Sequence, residues 1–194
     1  KNSGNIRVMV NNTIIDGSFA SIPNIHVDWE QGLLGLAIDS KFKDNHFVYV
    51  YYNYNDTHTG KIYAKIVRFT DDHNIAKDKV VILDKIPASS TGFHTGGALA
   101  FNKVDDKLYV TVGDAKDGLS AQNISSLNGK TLRINRDGTI PDDNPFPNSP
   151  VYTYGHRNMY GISFDDHGHG IVTEPGSALY DEINSQIKGG NYGW

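Results

Sequence analysis

Three short segments of this 194-residue chain repeat one pattern at one interval, and that repetition limits the fold more than any other feature. Leu36-Ala37-Ile38-Asp39, Leu99-Ala100-Phe101-Asn102 and Ile162-Ser163-Phe164-Asp165 each follow Gly or Gly-Ala, and their first residues lie 63 positions apart both times. Each is succeeded by a polar turn and a second apolar run: Phe47-Val48-Tyr49-Val50, Leu108-Tyr109-Val110-Thr111 and Ile171-Val172-Thr173. A strand pair recurring at fixed period, with further strands between, predicts an all-β β-propeller built of four-stranded blades. A blade needs ~40 to 50 residues, so the longer period predicts long loops. The interval fits into the chain about three times, whereas closure takes at least ~4 blades. Residues 1–194 are therefore expected to form one partial propeller domain, truncated at its C-terminal side.

Composition agrees with strands and turns. Twenty Gly, eleven Tyr and eight Phe, in short apolar runs broken by Asn, Asp and Gly, favour strands over helices. Expected strands are Phe47–Tyr52, Ala64–Phe69, Val80–Leu83, Ala98–Phe101, Lys107–Val112, Thr131–Asn135 and Gly161–Phe164. The absence of Cys excludes disulfides, thiolate metal sites and a Cys nucleophile. A net charge of −4 with no basic run argues against a nucleic-acid partner. No apolar stretch approaches the ~20 residues of a transmembrane helix, and Lys1-Asn2-Ser3-Gly4 lacks the apolar segment of a signal peptide.

The repeat register also selects residues for chemistry. Five positions before each anchor stand Gln31, His94 and Arg157, an amide, a base and a cation at one equivalent place. The innermost strand of a blade starts near the central channel, so the three are expected to face one cavity. Each could equally be a turn residue satisfied by local backbone. Asp114, in Val112-Gly113-Asp114, is placed to hold the tautomer of His94 and raise its basicity, or simply to close a turn with Gly113. Gly96-Gly97, after His94, is expected to let a planar cofactor approach the backbone. In the third repeat Gly176 and Ser177 are followed by Tyr180-Asp181-Glu182, a set of hard oxygen donors suited to Ca²⁺ or else solvated surface acids.

His94-Thr95-Gly96-Gly97-Ala98-Leu99-Ala100-Phe101, Val112-Gly113-Asp114, Asn128-Gly129-Lys130-Thr131-Leu132-Arg133-Ile134-Asn135, Tyr154-Gly155-His156-Arg157-Asn158 and Gly189-Gly190-Asn191-Tyr192-Gly193-Trp194 occur in an order that resembles the soluble quinoprotein glucose/sorbosone dehydrogenases. The likeness runs from Gln31-Gly32-Leu33-Leu34-Gly35 to Trp194. It implies a propeller of six blades, of which this chain covers roughly the first three to four. It further implies oxidation of an aldose at C1 to the lactone, with pyrroloquinoline quinone (PQQ) and Ca²⁺ as cofactors, a small sugar as substrate and an external electron acceptor. By match His94 is the general base, Asp114 its orienting group and Arg157 the cation at the quinone carbonyl. Glu30, Gln31 and Asn158 join Arg157 in the cofactor site; Gly176 and Ser177 are carbonyl ligands of one calcium, Glu182 and Tyr192 ligands of a second. An extracellular or periplasmic location, and a homodimer or larger assembly, belong to the same resemblance.

There are departures. Met159-Tyr160-Gly161 stands where the family commonly has Pro-Gln-Gly after Arg-Asn, Gly176-Ser177 replaces Gly-Pro, and Phe93 replaces the acidic residue that precedes the base in the glucose dehydrogenase branch. The Lys and Arg residues that hold the quinone carboxylates in later blades have no counterpart here. Those departures favour a rival reading, a non-catalytic extracellular propeller acting as a binding or structural module. A third, a metal-dependent lactonase, would need an inward Glu/Asn/Asp cage that the sequence does not offer.

Overall fold

The computed structural model describes residues 4–178 and 180–194, so Lys1, Asn2, Ser3 and Leu179 lie outside it. The described residues are all-β apart from two short helices. At the N-terminal side β1 (Asn5–Ile6) pairs with β4 (Ala20–Ser21), and β2 (Met9–Val10) pairs with β3 (Thr13–Ile14). Asn11 and Asn12 turn the inner hairpin with both φ positive, as a two-residue primed turn requires.

Two antiparallel meanders follow. The first runs in order β5 (Leu33–Ile38), β6 (Phe47–Asn55), β7 (Ile62–Asp72), β8 (Ile75–Pro87), with α1 (Phe42–Asn45) between β5 and β6. The second is β9 (Gly96–Asn102), β10 (Lys107–Val112), β11 (Lys130–Ile134), β12 (Val151–Tyr154), with α2 (Gly118–Gln122) between β10 and β11. A third sheet joins β13 (Gly161–Phe164), β14 (Gly170–Glu174) and β15 (Glu182–Ser185). Leu36, Leu99 and Ile162 thus lie on the first strands of three successive sheets, and β9 lies between β5 and β13. The expected strands all fall on observed ones, except that Asn135 lies beyond the end of β11; β1 to β4, β12 and β15 were not foreseen.

Strand β6 explains how the first two sheets stay together. Tyr49 and Tyr51 point into a cluster with Ile66, Ile86, Leu108 and Leu132, while Val48, Val50 and Tyr52 pack on Ile6, Phe19 and Val67 on the other face. Alternate side chains leave a strand on opposite faces, so a strand buried on both reads as the continuous run Phe47–Tyr52. Each such side chain contributes roughly 1.5–3 kcal/mol by leaving water.

A charged clasp ties the turns at one end. Arg136 Nε donates to both carboxylate oxygens of Asp39, each at 2.9 Å, and its other nitrogens donate to Asp106 and to Ser40 Oγ. Lys41 adds an ion pair to Asp106 at 2.6 Å. The residues before β5, β9 and β13 and after β10 and β14 meet at the other end, where Glu30 N–H donates to Gly92 O and Asp114 N–H to Arg157 O. Gly113 is needed there: a Cβ on it would sit 2.2 Å from His94 O.

Candidate functional site

The turns of all three sheets deliver a connected set of polar side chains. His94 is 7% exposed; its Nδ1 lies 2.7 Å from Asp114 Oδ1, and Asp114 is 1% exposed. An ionised carboxylate only accepts, so the proton sits on Nδ1 and the lone pair of neutral His94 is on Nε2. Nε2 makes no hydrogen bond among the described residues. His94 has φ +56°, and its turn is held from both sides: its N–H donates to Glu30 Oε2 at 2.7 Å and its carbonyl accepts from Ala115 N.

Glu30 is the junction of the set. Its Oε2 also accepts from Asn158 Nδ2 at 3.0 Å and its Oε1 from the Tyr160 hydroxyl at 2.9 Å. Burial, then the hydrogen bond to Glu30, pushes the Tyr160 hydroxyl above the usual phenol range. Asn158 Oδ1 accepts from Gly96 N at 3.0 Å, so Asn158 is tied both to Glu30 and to the backbone two residues after His94.

Arg157 lies on the far side. Its Nη1 reaches Pro175 O at 3.3 Å, its guanidinium stacks 5.5 Å over the Trp194 ring, and its Nε is buried without a partner among the described residues. It borders a cavity of about 340 Å³ shared with Gly176, Ser177, Glu182, Tyr192 and Trp194. A second cavity of about 340 Å³ is lined by Glu30, Tyr160, Gly96 and Leu99.

Glu30, His94, Asp114, Asn158 and Arg157 are therefore brought together, and Gln31 is not. Its side chain is fully buried, with Nε2 donating to Ser89 O at 2.7 Å, and the first repeat presents Glu30 to His94 instead. Gly96 and Gly97 are also required by packing within the protein: Cβ atoms there would meet Gly113 N at 2.8 Å and Leu34 Cβ at 2.9 Å, while the Gly96 backbone still borders the second cavity.

The four expected metal ligands border one cavity, but differently engaged. Glu182 accepts from Asn184 Nδ2 at 2.9 Å. The Tyr192 hydroxyl donates to Ser185 O and accepts from Ile187 N, so it is already engaged within its own loop. Gly176 packs so closely on Tyr180 O that a Cβ would lie 1.6 Å from it. Among the described residues no three His, Cys, Asp or Glu side chains cluster as a metal site, so any cation here would need backbone oxygens beside a carboxylate such as Glu182.

Two site residues escaped the sequence reading. Glu174, 6% exposed, accepts from the N–H groups of Arg157 and Asn158, the latter at 2.9 Å, and from His156 Nδ1 at 3.0 Å. Its only sequence signal is an acidic residue closing an apolar strand before Pro175-Gly176. Trp194 was visible solely as part of a Gly-rich motif, yet its indole Nε1 donates to Asp114 Oδ2 at 2.7 Å.

Against known proteins, the Glucose / Sorbosone dehydrogenase family matches residues 1–194, the whole chain. Quinoprotein glucose dehydrogenase B of Acinetobacter calcoaceticus is 33% identical over 86% of this chain and 40% of its own length. Aldose sugar dehydrogenase YliI of Escherichia coli is 29% identical over 93% of this chain and 50% of its own. The PQQ-bound aldose sugar dehydrogenase of Streptomyces coelicolor superposes with a TM-score of 0.89 at 32% identity, covering 99% of this chain and 56% of that one. The chain spans about half the length of the curated relatives it matches.

Proposed function

The chain belongs to the glucose/sorbosone dehydrogenase family, and from that premise we propose that the protein of which it forms part oxidises an aldose at C1 to the lactone with PQQ and Ca²⁺. The observation that carries this reading is the His94–Asp114 pair at 2.7 Å beside a guanidinium with an unpaired buried Nε. The three sheets are read as blades of a six-bladed propeller, of which residues 1–194 supply roughly three to four.

The residues present fit the cofactor. A buried N–H donor without an acceptor, bordering a cavity, is the feature that a ligand carbonyl or carboxylate relieves. When bound, the quinone supplies a two-electron hydride acceptor, which no side chain offers. The chain's own residues do the rest. Asp114 keeps the Nδ1–H tautomer, so Nε2 takes the proton of the substrate hydroxyl, and the imidazolium that forms is stabilised by the carboxylate beside it. Arg157 sets a fixed positive charge where negative charge develops on oxygen, and Asn158, pinned by Glu30 and Gly96, holds a polar amide next to it. The carbonyls of Gly176 and Ser177 would hold one Ca²⁺, and Glu182 with the Tyr192 carbonyl a second. An extracellular or periplasmic setting and an external electron acceptor complete the proposal.

The test is dye reduction by the full-length protein with PQQ, Ca²⁺ and a panel of aldoses. His94→Gln is expected to lower kcat per PQQ-loaded molecule about 10²- to 10⁴-fold, the usual loss for a general base. Turnover within a few-fold of wild type would refute the assignment.

A further inference from the structure

We propose that Trp194 is a positioning residue that sets the basicity of His94 through Asp114. The inference rests on the reading of His94 as the base, and its geometry is a chain of two short bonds. The indole Nε1–H donates to Asp114 Oδ2 at 2.7 Å, and Asp114 Oδ1 accepts from His94 Nδ1 at 2.7 Å. The carboxylate is 1% exposed, so its charge is shared among protein donors, Lys116 N–H at 2.8 Å being the third.

Trp194 is built to stay in place. Its N–H donates to Gly155 O at 2.9 Å, its carbonyl accepts from Gln122 Nε2 at 2.7 Å, and that Gln122 is paired with Asn191. The ring stands under the Arg157 guanidinium and is 39% exposed, so it forms the wall between the cavity and Asp114. Three consequences follow from donor chemistry. A hydrogen bond to a carboxylate favours its charged form and draws density away from the opposite oxygen. Removing the indole N–H makes Asp114 a stronger partner for Nδ1–H and stabilises the imidazolium. Neutral His94, the form able to accept a proton, then prevails only at higher pH. The other charged and titratable groups around His94 are Glu30 on its backbone N–H, Tyr160 behind Glu30, and Arg157 beyond the indole.

The experiment follows the Cε1 proton of His94 by NMR as pH is varied, in full-length protein without PQQ. Trp194→Phe keeps a ring against Arg157 and removes the donor. A second variant carries 3-benzothienylalanine at 194, which has the indole shape with sulfur in place of N–H. Both are expected to raise the His94 midpoint by about 0.5–1 pH unit. No shift, a downward shift, or a shift with Phe alone, which would trace to packing, overturns the proposal. Because the titration needs no turnover, its failure is separate from that of the enzymatic reading: the shift in an inactive protein sinks only the dehydrogenase, and an active enzyme without the shift sinks only the role of Trp194.

Discussion

Replacing Glu174 tests whether one buried carboxylate holds the Arg157–Asn158 segment in place. It receives three donors: the N–H groups of Arg157 and Asn158 on Oε1 and His156 Nδ1 on Oε2. Glutamine can keep all three contacts. Its carbonyl takes the two amides, and its NH₂ faces His156 Nδ1 if the proton moves to Nε2. That nitrogen then donates to Thr153 Oγ1, 2.9 Å away, whose hydroxyl already donates to Gln186 Oε1. What is lost is charge assistance on two amide bonds, about 1 kcal/mol each, so Glu174→Gln should cost about 1–2 kcal/mol. Alanine leaves three buried donors unpaired and should cost about 3–5 kcal/mol. The local assay is hydrogen exchange at the amides of 157 and 158 in the full-length protein. For Glu174→Gln, protection there should fall about 5- to 30-fold. Unchanged protection, or equal losses for Gln and Ala, would refute the reasoning.

The clasp at the opposite end gives an acid-stability prediction. The hydrogen bonds from Arg136, aided by Lys41 and Ser40, hold the Asp106 carboxyl well below the usual carboxylate range despite partial burial. A group depressed in the folded state adds stability above its unfolded value of about 3.9 and loses it as pH falls below that. Urea unfolding between pH 5 and pH 2.5 should therefore show a shallower acid loss in Asp106→Asn than in wild type, and parallel curves would count against the clasp. For the cation loop, Ca²⁺ should raise the melting temperature of the full-length protein by mass action, the stabilisation being about 2.7 kcal/mol at a hundred times Kd. Mg²⁺, which prefers octahedral geometry and its own water, should do much less, and equal responses would remove calcium from the proposal.

The sheets were legible where burial wrote a pattern. Strands β6 and β10 pack between layers, and their apolar runs are nearly continuous, whereas β15 (Glu182–Ser185) is mostly exposed and pairs with β14 on one side. Nothing in Glu-Ile-Asn-Ser alternates in a way that marks a strand. β12 was hidden differently: the polar, Pro-rich residues 135–150 separate it from β11, and its pairing with β11 depends on that loop folding back, with Asn144 Nδ2 donating to Arg133 O and Ser149 O. The site shows the same division. His94 and Arg157 share the repeat register and were found by counting. Glu174 and Trp194 act on residues 17 and 80 positions away, and no local spacing encodes such partners.

The miss at Gln31 shows how far a repeat register can be trusted. Equivalent positions share a place on the backbone, but side-chain direction depends on the local turn, and the three turns differ. Trp29 has φ +38° and His94 +56°, so the first two repeats both bend through left-handed backbone, one residue before Glu30 in the first case and at the base itself in the second. A left-handed non-glycine residue costs of order 1–3 kcal/mol and persists only where its surroundings hold it. Here the holding is mutual: Glu30 N–H donates to Gly92 O, and the Glu30 carboxylate accepts the N–H of His94. The offset turns Glu30 toward His94 and Gln31 toward Ser89, one position out of register. The same carboxylate binds Asn158 and Tyr160 from the third repeat, so the geometry around His94 depends on three sheets at once rather than on any one turn.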